Sequence, residues 1–182
     1  MKKFGWMFVG VAVLLLTACG PSAKSGLASQ EAQMQDNVQQ DGWQRMQVSE
    51  VKTKVTFRGK VYHSTVVRKP DESLPKVINE QGEKFVDNRI TLTLTCDGKT
   101  VLHRTFTKES FTSLVDAKFM KHALLEGVVL DEPSAQGIVY AASVGYPQSD
   151  LYVPLRLTVT PDGKLTMSKD ELMDDWHEAE KP

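Results

Sequence analysis

The chain has 182 residues, 41% of them apolar, with 22 Lys and Arg against 23 Asp and Glu. That composition excludes a disordered polyampholyte and a multi-pass membrane protein, and the length leaves room for one ordinary domain plus an extra segment. A formal charge of -1 and a pI near 6.4 remove the electrostatic basis for nucleic-acid binding, which needs a clustered basic surface.

Residues 1–18 read as a targeting segment, to be set aside before the fold is considered. Lys2 and Lys3 form a basic start, Phe4 to Ala18 is an uncharged run rich in Val and Leu, and it ends in Leu16-Thr17-Ala18-Cys19-Gly20. This pattern resembles a bacterial lipoprotein box, in which small residues fit a narrow peptidase site and the cysteine thiol is the nucleophile that takes up diacylglycerol. The resemblance implies cleavage between Ala18 and Cys19, thioether lipidation of Cys19, and a palmitate-type acyl chain on the new amino group. An uncleaved membrane span is the weaker reading. A span takes about 20 apolar residues, and here Gly20, Pro21 and Ser22 follow directly on the apolar run.

Loss of the leader removes two lysines and no acid, leaving a net charge of -3. With Cys19 carrying lipid, Cys96 is the one remaining thiol and no intramolecular disulfide is possible. Cys96 reads as a small buried hydrophobe, because a reactive thiol needs an electropositive neighbour and Asp97 has the wrong sign. Residues 19–45 are rich in Gln, with only Leu27, Met34 and Val38 as sparse larger aliphatics, and read as a tether that buries little. Residues 46–182 then form a single β-rich domain.

Period-two alternation of Val, Thr, Leu and Tyr between turn residues predicts antiparallel strands at 51–68, 89–96, 100–106, 124–130, 138–144, 152–160 and 164–167. The first is long enough to bend, with Gly59 as the place for it. Thr160-Pro161-Asp162-Gly163-Lys164 predicts a three-residue loop that sets Val159 opposite Leu165 and Leu157 opposite Met167. For Thr95-Cys96-Asp97-Gly98-Lys99 a three-residue loop is preferred over a two-residue one. It sets Leu92 opposite Leu102 and keeps Phe106 on the same face. Thr107 can cap a short helix through Val115, and Ser168 can start a C-terminal one docked by Trp176. The fold expected is mainly β: an antiparallel sandwich or strongly curved sheet with one or two short helices.

Catalytic patterns are sparse. His63, His103, His122 and His177 lack a two-His zinc spacing, and His103 reads as a solvated strand residue opposite Thr91. Ala141-Ala142-Ser143-Val144-Gly145 supplies only half of a Gly-x-Ser-x-Gly elbow. No phosphate loop, metal set or cofactor is implied. Paired carboxylates for glycan hydrolysis stay open, because their separation is spatial. The better candidate is a binding turn: Tyr146 and Tyr152 flank Pro147-Gln148-Ser149-Asp150, where aromatics can stack on a sugar or peptide and Gln148 and Asp150 can hydrogen-bond to it. The competing reading packs both tyrosines at the core rim. The connection 68–84 is a second candidate surface.

Lipobox, Gln-rich tether, Asp87-Asn88 before a strand, the Asp97-Gly98 hairpin leading to Phe106-Thr107-Lys108, the run Ser143 to Asp150 and the Asp162-Gly163 hairpin together resemble a Bacteroidetes-type lipoprotein family with a domain of unknown function. The resemblance spans about 55–167 and carries no catalytic or binding residues with it. It implies location. Residues 20–26 contain no acid to direct surface export, and no Asp follows Cys19 to retain the protein at the inner membrane. The expectation is therefore an outer-membrane, periplasm-facing lipoprotein that acts as a non-catalytic binding or assembly module for an envelope protein or glycan. A small envelope hydrolase and a structural accessory subunit are the alternatives.

Overall fold

A computed structural model of the protein describes residues 41–170. The leader, the lipobox, most of the tether and the C-terminal segment with Trp176 lie outside them. The described domain is mainly β, as its alternation predicts, and its strands are β1 Ser49–Phe57, β2 Lys60–Pro70, β3 Val77–Ile78, β4 Lys84–Phe85, β5 Asn88–Cys96, β6 Lys99–Phe106, β7 Leu124–Leu130, β8 Ile138–Gly145, β9 Tyr152–Val159 and β10 Leu165–Lys169. They form two four-stranded antiparallel sheets, in the orders β1-β2-β5-β6 and β10-β9-β8-β7, with β3 and β4 as a separate small pair.

One core lies between the two large sheets. Ile90, Leu92, Leu94 and Phe106 supply one side and Ile138, Tyr140, Leu155, Leu157 and Val159 the other. On β5 the alternation is complete, with Asn88, Ile90, Leu92, Leu94 and Cys96 buried and the intervening residues facing out. Cys96 is a free thiol within this core. Tyr140 is fully buried, and its hydroxyl donates to the Ser64 hydroxyl at 2.9 Å, which satisfies two polar groups that would be expensive to bury alone.

The Thr160–Lys164 loop forms as expected. Gly163 lies in the left-handed region at φ 85°, Val159 pairs with Leu165, and Leu157 pairs with Met167. Other expectations are corrected. The stretch 51–68 is not one bent strand but a hairpin, β1 and β2, closed by Arg58 and Gly59 at φ 49° and 74°. Two consecutive left-handed residues make the two-residue turn whose twist matches the strands. The Asp97-Gly98 turn also has two residues, pairing Cys96 with Lys99 and Thr95 with Thr100. A bulge at Val101 then restores the apolar face, so Leu94 pairs with Leu102, Leu92 with Arg104, and Ile90 with Phe106. His103 accordingly sits opposite Thr93 rather than Thr91, exposed, with its Nδ1 2.9 Å from the threonine hydroxyl. Finally, Ser168 and Lys169 belong to β10, and the rest of the expected C-terminal helix lies outside the described residues.

After β6, Lys108–Phe111 forms a single 3-10 turn in place of a helix running to Val115, with Phe111 buried against Phe106. Asp116 then caps the short helix α1, Ala117–Met120, by accepting from the Lys118 N–H at 2.8 Å.

Candidate functional site

The expected binding turn joins β8 to β9. It is closed by the Tyr146 N–H donating to the Leu151 carbonyl at 2.8 Å and the Ser149 N–H donating to the Tyr146 carbonyl at 3.2 Å. Its two tyrosines divide between the two readings. Tyr146 is half-buried, stacked on Phe119 of α1 with ring centroids 4.5 Å apart, and edge-on to His122. It anchors the turn. Tyr152 is 43% exposed and Leu151 61% exposed, beside exposed Asp150. Gln148 takes the left-handed conformation at φ 61°, and its amide donates to the Gln44 side chain at 2.8 Å. The turn is thus fastened to a segment more than a hundred positions earlier in the chain.

That earlier segment packs on the β3–β4 pair inside the connection named as the second candidate surface. Gln44 forms a parallel bridge with Phe85, donates its N–H to the Lys84 carbonyl at 2.8 Å, and accepts from the Val86 N–H at 2.9 Å. Val77 and Phe85 bury their side chains with Leu124 beneath. The other connected residues are polar: the Arg45 guanidinium binds Asp41 at 2.7 Å and Glu72 at 2.6 Å.

A second site has no counterpart among the sequence candidates. Asp87 and Asn88, at the start of β5, and Lys108, at the start of the 3-10 turn, are all buried. Asp87 Oδ1 accepts from the backbone N–H groups of Asn88 at 2.7 Å and Leu125 at 3.0 Å. Its other oxygen faces the Lys108 ammonium at 3.4 Å, and that ammonium donates to the Ala123 carbonyl at 2.9 Å. The Asn88 amide donates to the Leu125 carbonyl at 3.0 Å. Together these groups lash β7 to β5 and to the 3-10 turn. Burial pushes the Asp87 carboxyl up, and the Lys108 charge and the two backbone donors oppose that shift.

Glu126, next to Leu125 on β7, has polar partners of its own. It is the extra residue of a bulge in β7, where Leu125 pairs with Val144 and Gly127 with Ser143. Its carboxylate lies over Gly145, so close that a Cβ there would stand 2.5 Å from the Oε2 oxygen. Burial pushes the Glu126 carboxyl up to about 7, with a hydrogen bond from Ser143 and the charge of Arg68 acting against it. The Arg68 guanidinium donates at 2.7 Å to the backbone carbonyl of Glu126 rather than to its carboxylate. Residues from the stretches Asp87-Asn88, Phe106 to Lys108 and Ser143 to Gly145, which look like separate turns in the sequence, thus meet around β7.

The other candidates stay apart. His63 pairs with Thr95 and His103 with Thr93, on different strands separated by β5. Ser143 lies within β8 and not at an elbow. Among the described residues no group of three or more His, Cys, Asp or Glu is placed to hold a metal ion.

A two-sheet antiparallel domain with a buried ion-pair clamp and an exposed aromatic turn is the class defined by this geometry. The sequence matches the domain of unknown function DUF4738 over residues 28–167, and the chain belongs to that family. No curated protein matches it.

Proposed function

We propose that the protein is a lipid-anchored envelope lipoprotein of the Bacteroidetes type, held at the periplasmic face of the outer membrane, whose β-domain binds or assembles with another envelope component without catalysing a reaction. The observation that carries the binding role is the β8–β9 turn. Its base is fixed by the Tyr146–Phe119 stack and the Gln148–Gln44 bond, while Leu151 and Tyr152 stay exposed beside Asp150. An aromatic and a carboxylate on a pre-ordered turn lose little freedom on meeting a peptide or glycan. The anchoring role rests on Leu16-Thr17-Ala18-Cys19-Gly20 behind a short apolar run. The hydrolase alternative is the less favoured, because Asp87 is wholly buried and engaged by Lys108 and two backbone N–H groups.

Cys19→Ser abolishes labelling of the protein by radioactive palmitate in cells and leaves the precursor uncleaved, since thioether formation precedes cleavage. Processing at Ala18 with detergent partitioning retained in that variant would remove the anchor. For the binding role, Asp150→Ala with Tyr152→Ala abolishes recovery of whatever the full chain captures from envelope extract, while the urea midpoint stays near wild type. Leu157→Ala, a truncation in the core, lowers stability by about 2 to 5 kcal/mol instead. Unchanged capture by the double variant assigns the turn to structure alone.

A further inference from the structure

The two large sheets share the charge of the domain unequally. The β1–β2 hairpin, residues 49–70, holds six Lys or Arg and one carboxylate, Glu50, while the β5–β6 hairpin, residues 88–106, holds three and one, Asp97. All other described residues together supply nine Lys and Arg against fourteen Asp and Glu. The formal charge of -1 for the whole chain conceals this segregation. Alternation and register decide what the basic sheet shows to solvent. Ile90, Leu92 and Leu94 point into the core, so Thr91, Thr93 and Thr95 point out. In the same outward rows His63 and Lys54 follow Thr95, Thr65 and Lys52 follow Thr93 with His103 on its other side, and Lys69 stands beside Arg89. Glu50, which also points out, is engaged by Lys52 at 2.8 Å, and Asp71 is engaged by Arg89. Lys69 acts on Glu50 from further off. Lys54 and Lys69 are exposed and form no ion pair among the described residues.

Rows of threonine flanked by lysine suit one class of ligand. The Thr91 and Thr105 hydroxyls lie 3.0 Å apart and the Thr93 hydroxyl lies 2.9 Å from His103 Nδ1, so these hydroxyls are held in place and keep hydrogen-bonding capacity to spare. Successive threonines on β5 stand about 7 Å apart and neighbouring strands about 4.8 Å apart, which spreads hydroxyl and ammonium groups over a broad surface. A small anion meets one such lysine, whereas a chain of sugars with an acidic group on each repeat meets several at once and fills the ground between them with hydroxyls. Bilayers and nucleobases are received on aromatic side chains, and the centre of this face is threonine. We propose that the outer face of the β1-β2-β5-β6 sheet binds an anionic polysaccharide, Lys54 and Lys69 meeting its carboxylate or sulfate groups and the β5 threonines its hydroxyls. This surface belongs to a different sheet from the β8–β9 turn and does not depend on the lipid anchor. Each exposed ion pair is weak and screened by salt, and the affinity comes from the number made together along one polymer.

The test measures binding of the full-length protein, purified in detergent, to immobilised polygalacturonate, which carries carboxylates, and to heparin, which carries sulfates as well. Dextran serves as the neutral polysaccharide and polyglutamate as the polyanion without sugar. The protein is expected to bind at least one of the two anionic polysaccharides, more weakly as NaCl is raised, and not to bind dextran. Lys54→Glu with Lys69→Glu weakens that binding by about tenfold, and Lys54→Arg with Lys69→Arg does not. Lys164→Glu with Lys169→Glu, which changes the net charge equally from exposed positions on the other sheet, leaves it near wild type. Thr93→Val with Thr95→Val weakens polysaccharide binding and leaves any residual binding to polyglutamate unchanged. The urea midpoint of every variant, compared with wild type, separates loss of binding from loss of fold. Failure to bind either anionic polysaccharide overturns the proposal, as does equal weakening by the two Glu variants. Binding to polyglutamate, duplex DNA or phosphatidylglycerol vesicles as tight as to the polysaccharides overturns it too, because the face would then attract any polyanion.

Discussion

Lys108 shows how a charged residue can hold a fold together from inside. Its ammonium satisfies the Ala123 carbonyl and faces a carboxylate whose other oxygen is already committed to two backbone donors. Removing one partner of such a pair leaves an uncompensated charge in a low dielectric, which costs about 3 to 5 kcal/mol. Lys108→Ala is therefore expected to lower the free energy of urea unfolding by an amount in that range, whereas Lys69→Ala, exposed on β2, changes it little. Glu126 behaves differently, because burial raises its carboxyl from the ordinary 4.5 to about 7. A carboxyl with a higher pKa folded than unfolded holds its proton more tightly when folded, so its contribution to stability is complete below about 4.5 and is lost as pH rises through about 7. Asp87 is shifted the same way by burial, so the decline with pH has two sources. Urea unfolding at pH 5 and pH 8 separates them: Glu126→Gln narrows the difference between the two pH values, and an undiminished difference would place the titration elsewhere. None of these three residues carries a local signal in the sequence. Charged residues read as solvated, and apart from the neighbouring Asn88 N–H the partners of Asp87 and Lys108 lie 15 to 38 positions away.

Among the elements, what was legible depended on whether the determining residues were neighbours. The 160–164 loop reads correctly because Pro161 and Gly163 specify it within five residues, and the alternation of β5 reads correctly because every second residue is apolar. The β1–β2 hairpin is hidden because Arg58 is an unusual occupant of a left-handed turn position, so a continuous strand matched the pattern equally well. The bulge at Val101 is hidden because it answers to another sheet: Gly163 of the β9–β10 loop sits directly on the Val101 carbonyl. This contact yields a comparison between two glycines with similar backbone. Gly59 at φ 74° and Gly163 at φ 85° both hold conformations that cost an L-residue about 1 to 2 kcal/mol. A Cβ at Gly59 meets nothing within 4 Å, while one at Gly163 runs into the Val101 carbonyl. Gly163→Ala should lower the urea midpoint clearly more than Gly59→Ala at unchanged m-value. Equal losses would mean that the loop can lift off β6 freely.

At the scale of the whole molecule, the open question is where the domain begins. Composition places the change of character near Met46, since Gln-rich sequence runs up to Arg45. The five positions before Met46 nevertheless make contacts of three kinds: the parallel bridge of Gln44 to Phe85 with its two backbone hydrogen bonds, the side-chain bond of Gln44 to Gln148, and the ion pairs of Arg45 with Asp41 and Glu72. Two of these are invisible to composition because their partners sit about 40 and 100 positions further along the chain. Met46 itself is buried, with its sulfur 3.0 Å from the Asn88 amide, so the entering segment leads directly to the ion-pair clamp. A chain starting at Met46 leaves the Val86 N–H and the Lys84 carbonyl without their partner and uncovers Phe85. Each backbone hydrogen bond contributes about 0.5 to 1.5 kcal/mol net, so the loss from the two alone is about 1 to 3 kcal/mol, before any apolar exposure. Chains starting at Asp41 and at Met46 can be compared by urea denaturation. The second is expected to unfold at lower urea than the first while keeping a single cooperative transition, because the core between the two large sheets is untouched. Identical midpoints for the two shortened chains would show that Asp41 to Arg45 rests on the domain without stabilising it.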